Sequence, residues 1–242
     1  MKVHIIGTIN GIENEGMRNI ATHLAREIEK TNTVYYSGLK EFGSIFRNCL
    51  RSDVTIVFAR ANKAVYWLTR LVQILCRHVY IFCVQKPREE FVSLNRKWGL
   101  KCGWFSIVSE DLQEISSERK YTVPVGIDTT KFSPVNAGES AKLRQQYGFS
   151  NEKPLVVHVG HCSAGRGLED FLTINGERVQ RLVVASGMFE NAQTAEKLES
   201  AGVSLHRGFL PHVEDIYRMA DCCLFPTRSE EYVISVPLSV ME

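Results

Sequence analysis

The 242-residue chain is 44% hydrophobic and 23% charged, a composition that excludes a disordered or low-complexity protein. Its seven cysteines include no Cys-x-x-Cys pair and no Cys/His spacing typical of a metal site, so we expect free thiols in a reducing compartment and no metal. No secretory signal begins the chain, and no apolar segment approaches the roughly 18 residues of a membrane span. These features predict a cytoplasmic protein.

Charge divides the chain into two parts. The residues through Pro134 include 19 basic and 13 acidic side chains, a net +6, whereas the remainder includes 10 basic and 14 acidic side chains, a net −4. Such asymmetry indicates two domains with different partners.

Short apolar runs rich in β-branched residues alternate with segments of helical period, which is the pattern of βα units around a mostly parallel sheet. A polar, glycine-bearing loop follows the first strand, and the next helix has one apolar face. In chain order the pattern predicts strands at 3–8, 33–36, 54–59, 79–84, 104–108 and 120–125, and helices starting at 17 and spanning 39–49, 63–76 and 88–97.

Turn-forming and charged residues interrupt this alternation between Asp128 and Pro154, around one short helix predicted at 141–147. We therefore predict an N-terminal domain of residues 1–134 and a second Rossmann-like domain of residues 135–242. The alternation resumes with strands at 155–159, 181–185, 203–207 and 222–225 and helices at 168–174, 192–201 and 214–220. The apolar run at 236–241 resembles the first turns of a helix that is cut off, so the second domain is expected to be incomplete.

The loop after the strand at 155–159 is the most informative for function. It runs from Gly160 to Gly167 and contains His161, Ser163 and Arg166. Small residues before a helix offer backbone N–H groups and the positive end of a dipole to an anion, and an arginine adds bidentate charge. The loop is therefore either a diphosphate site or an ordinary βα turn with one exposed arginine. It is neither a Walker loop nor a G-x-G-x-x-G fingerprint.

Several segments resemble the family 4 glycosyltransferases of the GT-B fold, which are retaining enzymes. The segment from Val123 to Pro134 resembles the end of that family's N-terminal domain, and the loop from Gly160 to Gly167 resembles its donor-phosphate loop. The stretch from Gly208 through Thr227 is similar to its nucleoside-binding segment, and the ending Pro237 to Glu242 is similar to the start of its Glu-Ala-Met helix.

The resemblance implies a GT-B fold of two Rossmann-like domains and a hexosyltransferase-like enzyme of polysaccharide biosynthesis. The sugar would pass with retention and without a metal from a UDP- or GDP-sugar to a glycan or a lipid-linked acceptor. Arg166 and Glu242 would serve catalysis, with preorganised electrostatics supplying most of it. The donor would be bound by Gly160, His161, Ser163, Arg166, Phe209, Leu210, Glu230 and Glu242.

Three residues depart from the family pattern. His161 stands where the family has an arginine, Gln85 stands where it has a histidine near the sugar, and Ile234 stands eight positions before Glu242, where it has a glutamate. They motivate a second hypothesis, a GT-B scaffold that binds a nucleotide or a partner without catalysing transfer. A phosphorylase or a sugar epimerase on the same scaffold is a third.

Two further features have alternative interpretations. His158 lies in a central strand and is either a core residue with satisfied hydrogen bonds, the commoner case, or a ligand. The helix at 63–76 carries Tyr66 and Trp67 beside Lys63 and Arg70, a basic amphipathic pattern that either packs on a sheet or lies on the inner face of an anionic membrane. We expect no nucleic-acid binding, because acidic residues are interspersed with the basic ones.

Overall fold

A computed structural model describes residues 1–9, 16–107, 112–123, 126, 128–163 and 165–226. The chain divides into two compact units, Met1–Val125 and Gly126–Glu242. The segment after Gly126 belongs to the second unit, where Arg218 donates hydrogen bonds to the carbonyl oxygens of Lys131 and Ser133. Both units contain parallel sheets with helices, so the predicted α/β class with Rossmann-like halves is confirmed.

The first unit is a six-stranded parallel sheet in the order β2-β1-β3-β4-β5-β6. Its strands are β1 (Lys2–Gly7), β2 (Thr33–Ser37), β3 (Val54–Phe58), β4 (His78–Cys83), β5 (Gly103–Ser106) and β6 (Lys120–Thr122). Its helices are α1 (Gly16–Glu29), α2 (Phe42–Cys49), α3 (Lys63–Leu75) and α4 (Glu89–Trp98).

Helices cover both faces of this sheet, because strands buried on two sides need an apolar layer against each. Helices α2, α3 and α4 share one core cluster, in which Ile45, Tyr66, Phe91 and Trp104 are almost fully buried. Helix α1 packs on the opposite face through Ala21 and other small or aliphatic side chains. The three helices on the first face therefore form a single layer.

The second unit is a four-stranded parallel sheet in the order β10-β7-β8-β9. Its strands are β7 (Leu155–Cys162), β8 (Gln180–Glu190), β9 (Ser204–Arg207) and β10 (Cys222–Cys223), and its α-helices are α5 (Ala137–Gln146), α6 (Ala192–Ser200) and α7 (Val213–Met219). An ion pair of 2.6 Å between Arg144 and Asp221 ties α5 to the sheet, and the same carboxylate accepts the N–H of Leu155.

Two elements of the second unit differ from the sequence prediction. Helix α5 begins at Ala137 rather than at residue 141, because Asn136 and Glu139 form a reciprocal capping box. The helix predicted at 168–174 is a 3-10 helix, Leu168–Thr173, which starts from a left-handed Gly167. Within the described residues, none of the helices has the length and apolar character that crossing a membrane requires.

Candidate functional site

The strand order of the second unit locates a crevice. The chain moves from β7 to β8 and β9 on one side, and β10 lies on the other side of β7. The strand order therefore reverses between β7 and β10. Open α/β sheets bind ligands at such a switch point, beyond the carboxyl ends of the two strands. The loops that meet there are the one after β7, which contains the predicted donor loop, and the one after β10.

The first residues of the donor loop continue strand β7. Gly160 still pairs with Ala185 of β8, and the register shifts between Gly160 and Cys162, where the strand has an irregularity. The carbonyl oxygen of Cys162 accepts the N–H of Asn191 at 2.6 Å. His161 is half-buried within this irregular segment. The strand that the sequence predicts to end at residue 159 thus extends to Cys162, and it anchors the start of the loop.

Glycine at position 167 is required by both backbone conformation and space. Gly167 has φ = 66°, a left-handed conformation that strongly favours glycine. A Cβ atom there would also overlap the carbonyl oxygen of Pro226, which follows β10. The loop after β7 is therefore packed directly against the residues that follow β10.

Arg166 is a buried cation at this crevice. Its side chain is almost fully buried, and its guanidinium carbon lies 5.7 Å from the centre of the Phe225 ring. Its backbone N–H donates to the carbonyl oxygen of Ser163 at 3.2 Å, which tightens the turn between them. A guanidinium is a side chain that can bind an anion through two parallel hydrogen bonds. The arginine of this loop is therefore buried and not exposed, as the alternative of an ordinary turn had assumed.

His158 lies on β7 two residues before Gly160 and is fully buried. Its Nδ1 lies 3.0 Å from the carbonyl oxygen of Leu224, so Nδ1 donates and Nε2 carries a lone pair. Burial lowers the pKa of His158 to about 4; the bond to Leu224 opposes this shift, and the positive charge of Arg166 adds to it. His158 is therefore neutral near pH 7.

The Nε2 atom of His158 has no hydrogen-bond partner within the described part of the chain. It faces the position that a Cβ atom of Gly160 would occupy, at 3.0 Å from it. The interpretation of His158 as a core histidine with satisfied hydrogen bonds is therefore correct for one ring nitrogen and wrong for the other.

The helix that follows the loop contributes less than the sequence suggests. The 3-10 helix Leu168–Thr173 has only six residues, and Glu169 and Asp170 lie in its first turn. A short 3-10 helix lacks a large macrodipole, and two acidic side chains oppose an anion near its start. The positive charge of the loop therefore comes from Arg166 rather than from the helix.

The other predicted donor residues lie apart from this loop or outside the described residues. Phe209 and Leu210 follow the edge strand β9, which is separated from β7 by β8. Leu210 packs against the apolar cluster beneath the sheet, and the Phe209 side chain is exposed. Glu230 and Glu242, together with the predicted helix start at 236–241, lie outside the described residues.

No family model matches the sequence, and no curated protein matches it significantly. Solved structures share its architecture. HepE of Anabaena, crystallised with UDP, has a TM-score of 0.77 at 12% identity over 100% of this chain and 78% of HepE. Sucrose-phosphate synthase from Thermosynechococcus elongatus has a TM-score of 0.72 at 12% identity over 99% of this chain and 78% of that protein.

WaaG, a glycosyltransferase involved in lipopolysaccharide biosynthesis, has a TM-score of 0.69 at 14% identity over 100% of this chain and 78% of WaaG. HepE has also been crystallised with UDP and glucose. The chain has the GT-B fold. At 11–14% identity this likeness shows the fold alone.

Sequence reasoning missed one contributor to this candidate site, Phe225. Phe225 lies in the stretch from Gly208 through Thr227 without a predicted role of its own, yet its ring contacts Arg166 and stacks on His158 with 5.2 Å between ring centres. The alternation of His158 and Gly160 on one face of β7 was the available signal. Among the described residues, no cluster of His, Cys, Asp or Glu side chains is arranged to hold a metal ion.

Proposed function

We propose that this protein is a glycosyltransferase that takes a sugar from a UDP- or GDP-sugar and holds the donor diphosphate in the loop from Gly160 to Gly167. The observation that carries the proposal is the buried Arg166 at the switch point of the second sheet. The GT-B fold supports it, as do the structural relatives HepE, crystallised with UDP, and WaaG, a glycosyltransferase.

Arg166 has the chemistry that a departing nucleoside diphosphate requires. Negative charge accumulates on the diphosphate as the sugar–oxygen bond breaks, and a preorganised cation stabilises this charge without reorganising. Packing against Phe225 restrains the guanidinium, so less rotamer entropy is lost when it binds phosphate oxygens. We propose that this residue, rather than a metal ion, neutralises the leaving group.

Ser163 and the backbone of Gly160 and His161 are proposed to complete the diphosphate site. The Ser163 hydroxyl is a donor of suitable size for a phosphate oxygen, and its carbonyl oxygen is already satisfied by Arg166. Phe209 and Leu210 would contact the base through their backbone, and Glu230 and Glu242 would bind the donor. Transfer with retention to a glycan or a lipid-linked acceptor completes the proposal.

Thermal unfolding with and without nucleotides tests the donor site directly. At about 100 times its dissociation constant, a nucleotide that binds only the folded protein stabilises it by nearly 3 kcal/mol. We expect UDP or GDP to raise the unfolding temperature, and we expect ADP and CMP to have little effect. Arg166→Ala should abolish the shift, whereas Arg166→Lys should keep part of it because the charge remains.

Arg178→Ala is the matched control, because Arg178 is an exposed arginine in the turn before β8, at the opposite end of the strands. This variant should respond to nucleotide like the unaltered protein. If Arg166→Ala binds nucleotide as well as Arg178→Ala does, the loop is excluded as the donor site.

A nucleotide- or partner-binding protein without transfer is the second candidate, favoured by Gln85 after β4 and by His161 in the donor loop. Incubation with radiolabelled UDP- and GDP-sugars and a panel of glycan and lipid-linked acceptors separates the two. Donor binding with no labelled product from any acceptor, and no hydrolysis of the donor, would favour this candidate. Labelled product that Arg166→Ala lowers by at least about 100-fold would favour the transferase.

A further inference from the structure

Helix α2 presents an apolar stripe to solvent. Ile45 and Cys49 face the core, whereas Phe42, Phe46 and Leu50, which follows the helix directly, are exposed at spacings of four residues. Residues four apart lie on the same side of a helix, so these three side chains form one row. Phe42 exposes 65% of its surface, which is unusual for an isolated phenylalanine on a folded protein.

Helix α3 repeats the arrangement beside it. Tyr66 and Val72 are fully buried, whereas Trp67, Leu71 and Ile74 are exposed at positions i, i+4 and i+7. Ile74 exposes 80% of its surface. One side of this helix therefore packs on the sheet, as the first of the two alternatives predicts, and the other side carries a second apolar row.

Helix α4 extends the same surface. Trp98 at its end is exposed, and its ring centre lies 5.7 Å from that of Trp67. Arg70 donates hydrogen bonds to the carbonyl oxygens of Trp98 and Gly99, at 3.4 and 3.2 Å, and the Lys97 ammonium lies 5.0 Å from the centre of the Trp98 ring. The two tryptophans are thus fixed side by side between cationic groups.

These helices hold most of the exposed apolar surface of the described chain. We call their solvent side the docking face, defined by Phe42, Phe46, Leu50, Trp67, Leu71, Ile74 and Trp98. In the described part of the second unit, Phe209 is the one large apolar side chain that is exposed. Exposed apolar surface concentrated in this way indicates an interaction site rather than ordinary surface variation.

The docking face lies in the most basic part of the chain. Residues 40–101 include 12 basic and 4 acidic side chains, a net +8, although the whole chain carries only +2. Arg47, Arg51, Lys63, Arg70 and Lys97 are all exposed on or beside the three helices. The remaining residues therefore carry a net −6, so the net excess of positive charge lies in this part of the first unit.

We propose that the docking face binds the surface of an anionic lipid bilayer. Tryptophan and phenylalanine side chains enter the boundary between headgroups and acyl chains, while surrounding lysine and arginine side chains contact anionic headgroups. The apolar rows on α2 and α3 supply the inserted surface, and the exposed lysine and arginine side chains on and beside the helices supply the attraction. This inference is independent of the proposed sugar transfer, since it rests on a different unit and different residues.

Charge decides against the two other occupants of this face. A symmetric dimer would bring together the basic side chains that border the docking face in both copies, and like charges at close range oppose association. A nucleic acid would satisfy the charge but would leave Phe42, Leu71 and Ile74 against phosphates and sugars, where aliphatic side chains gain little. An anionic bilayer accommodates the charge and the apolar rows together.

Vesicle co-sedimentation with the full chain, without nucleotide, tests this inference. We expect binding to phosphatidylcholine vesicles that contain about one-third phosphatidylglycerol and little binding to phosphatidylcholine alone. Raising the salt from about 50 to about 500 mM should weaken the binding strongly because surface charges are screened. Arg47→Glu combined with Arg51→Glu should weaken it at least about tenfold.

Two sets of matched variants make the result specific. Lys142→Glu combined with Lys153→Glu reverses the same number of exposed charges in the second unit and should leave vesicle binding nearly unchanged. Phe42→Ser combined with Ile74→Ser should weaken binding, whereas Tyr121→Ser, an exposed aromatic position outside the docking face, should not. Unchanged unfolding temperatures establish that each variant is folded.

Tryptophan fluorescence reports insertion. Trp67 and Trp98 are exposed and Trp104 is fully buried, so binding should shift the emission to shorter wavelength and brominated lipids should quench it. The double variant Trp67→Phe and Trp98→Phe should show neither change. The inference is overturned if the unaltered protein fails to bind anionic vesicles, if Arg47→Glu with Arg51→Glu binds equally well, or if the docking-face variants instead abolish a dimer or nucleic-acid binding.

Discussion

Each unit of this protein buries one histidine in the first strand of its sheet, and the two histidines differ in what they contact. His4 of β1 has both ring nitrogens partnered: Nε2 lies 2.9 Å from the Ser37 hydroxyl, and Nδ1 lies 3.5 Å from the Cys49 thiol. His158 of β7 has one partner, the carbonyl oxygen of Leu224, and its Nε2 has none among the described residues.

The difference follows from the surroundings of each ring. His4 is enclosed by a polar network in which Ser37 also bonds Ser44 and Asn48, and this network joins β1, β2 and α2. His158 lies beneath a glycine, at the strand end that opens on the switch-point crevice. A complete network indicates a structural role, whereas a buried lone pair without a partner indicates a place for a ligand group or an ordered water.

Acid should destabilise both units, and this is the largest effect we expect. Burial lowers the pKa of His4, like that of His158, from 6.5 to about 4. The unfolded chain therefore binds more protons than the folded protein between these values, and stability falls as the pH falls through this window. Each histidine should remove about 1.4 kcal/mol per pH unit, or about 3 kcal/mol by pH 4.

Urea unfolding at several pH values from 7 to 4 measures this loss. All three tryptophans lie in the first unit, so their fluorescence follows that unit, whereas circular dichroism follows both. His4→Gln should make the free energy of unfolding measured by fluorescence less dependent on pH. His158→Gln should leave the fluorescence result unchanged and should reduce the pH dependence measured by circular dichroism. A fluorescence profile that His4→Gln leaves unchanged would mean that other groups control acid stability.

Replacing each histidine by phenylalanine should lower the free energy of unfolding by less than acid does, and by different amounts at the two positions. His4→Phe leaves Ser37 and Cys49 without their ring partner and should cost about 2 kcal/mol. His158→Phe loses the bond to Leu224 but also removes a buried nitrogen without a partner, so it should cost about 1 kcal/mol or less. Urea unfolding of the two variants measures both changes, and equal costs would contradict the comparison.

Gly160→Ala should give a similarly small change, and it tests the contact between Gly160 and His158. The new methyl group would lie 3.0 Å from Nε2 of His158, closer than an ordinary contact, so we expect a loss of about 1 kcal/mol and weaker nucleotide binding. In a His158→Ala background the same substitution should cost nothing, because the ring is absent. A double-mutant cycle measures this coupling, and additive effects would show that the two positions do not interact.

Much of the fold could be predicted from the sequence because it follows from local patterns. Helix α3 begins at Lys63 as predicted, since Asn62 caps it by accepting the N–H of Val65. The prediction of an α-helix at 168–174 was wrong, because periodicity alone does not distinguish an α-helix from a short 3-10 helix. The end of β7 was also missed, since its last residues are held by pairing with β8 and by Asn191.

Part of the candidate site could also be predicted from local sequence patterns. Gly160, His161, Ser163 and Arg166 are neighbours in sequence, and the rule that ligands bind beyond the carboxyl ends of parallel strands selects their loop. Phe225 is about 60 residues away in sequence, and only the adjacency of β10 to β7 brings its ring to Arg166 and His158. The roles proposed for Glu230 and Glu242 stay predictions, because these residues lie outside the described part of the chain.

The sequence by itself determined the alternation of strands and helices, the two Rossmann-like halves and the loop most suited to an anion, because each depends on residues close together in the chain. The tertiary structure alone decided the strand order, the burial of Arg166, the open nitrogen of His158 and the merging of three helix surfaces into one basic, apolar face. These properties depend on which distant segments pack together, and packing among distant segments leaves no local pattern in the sequence.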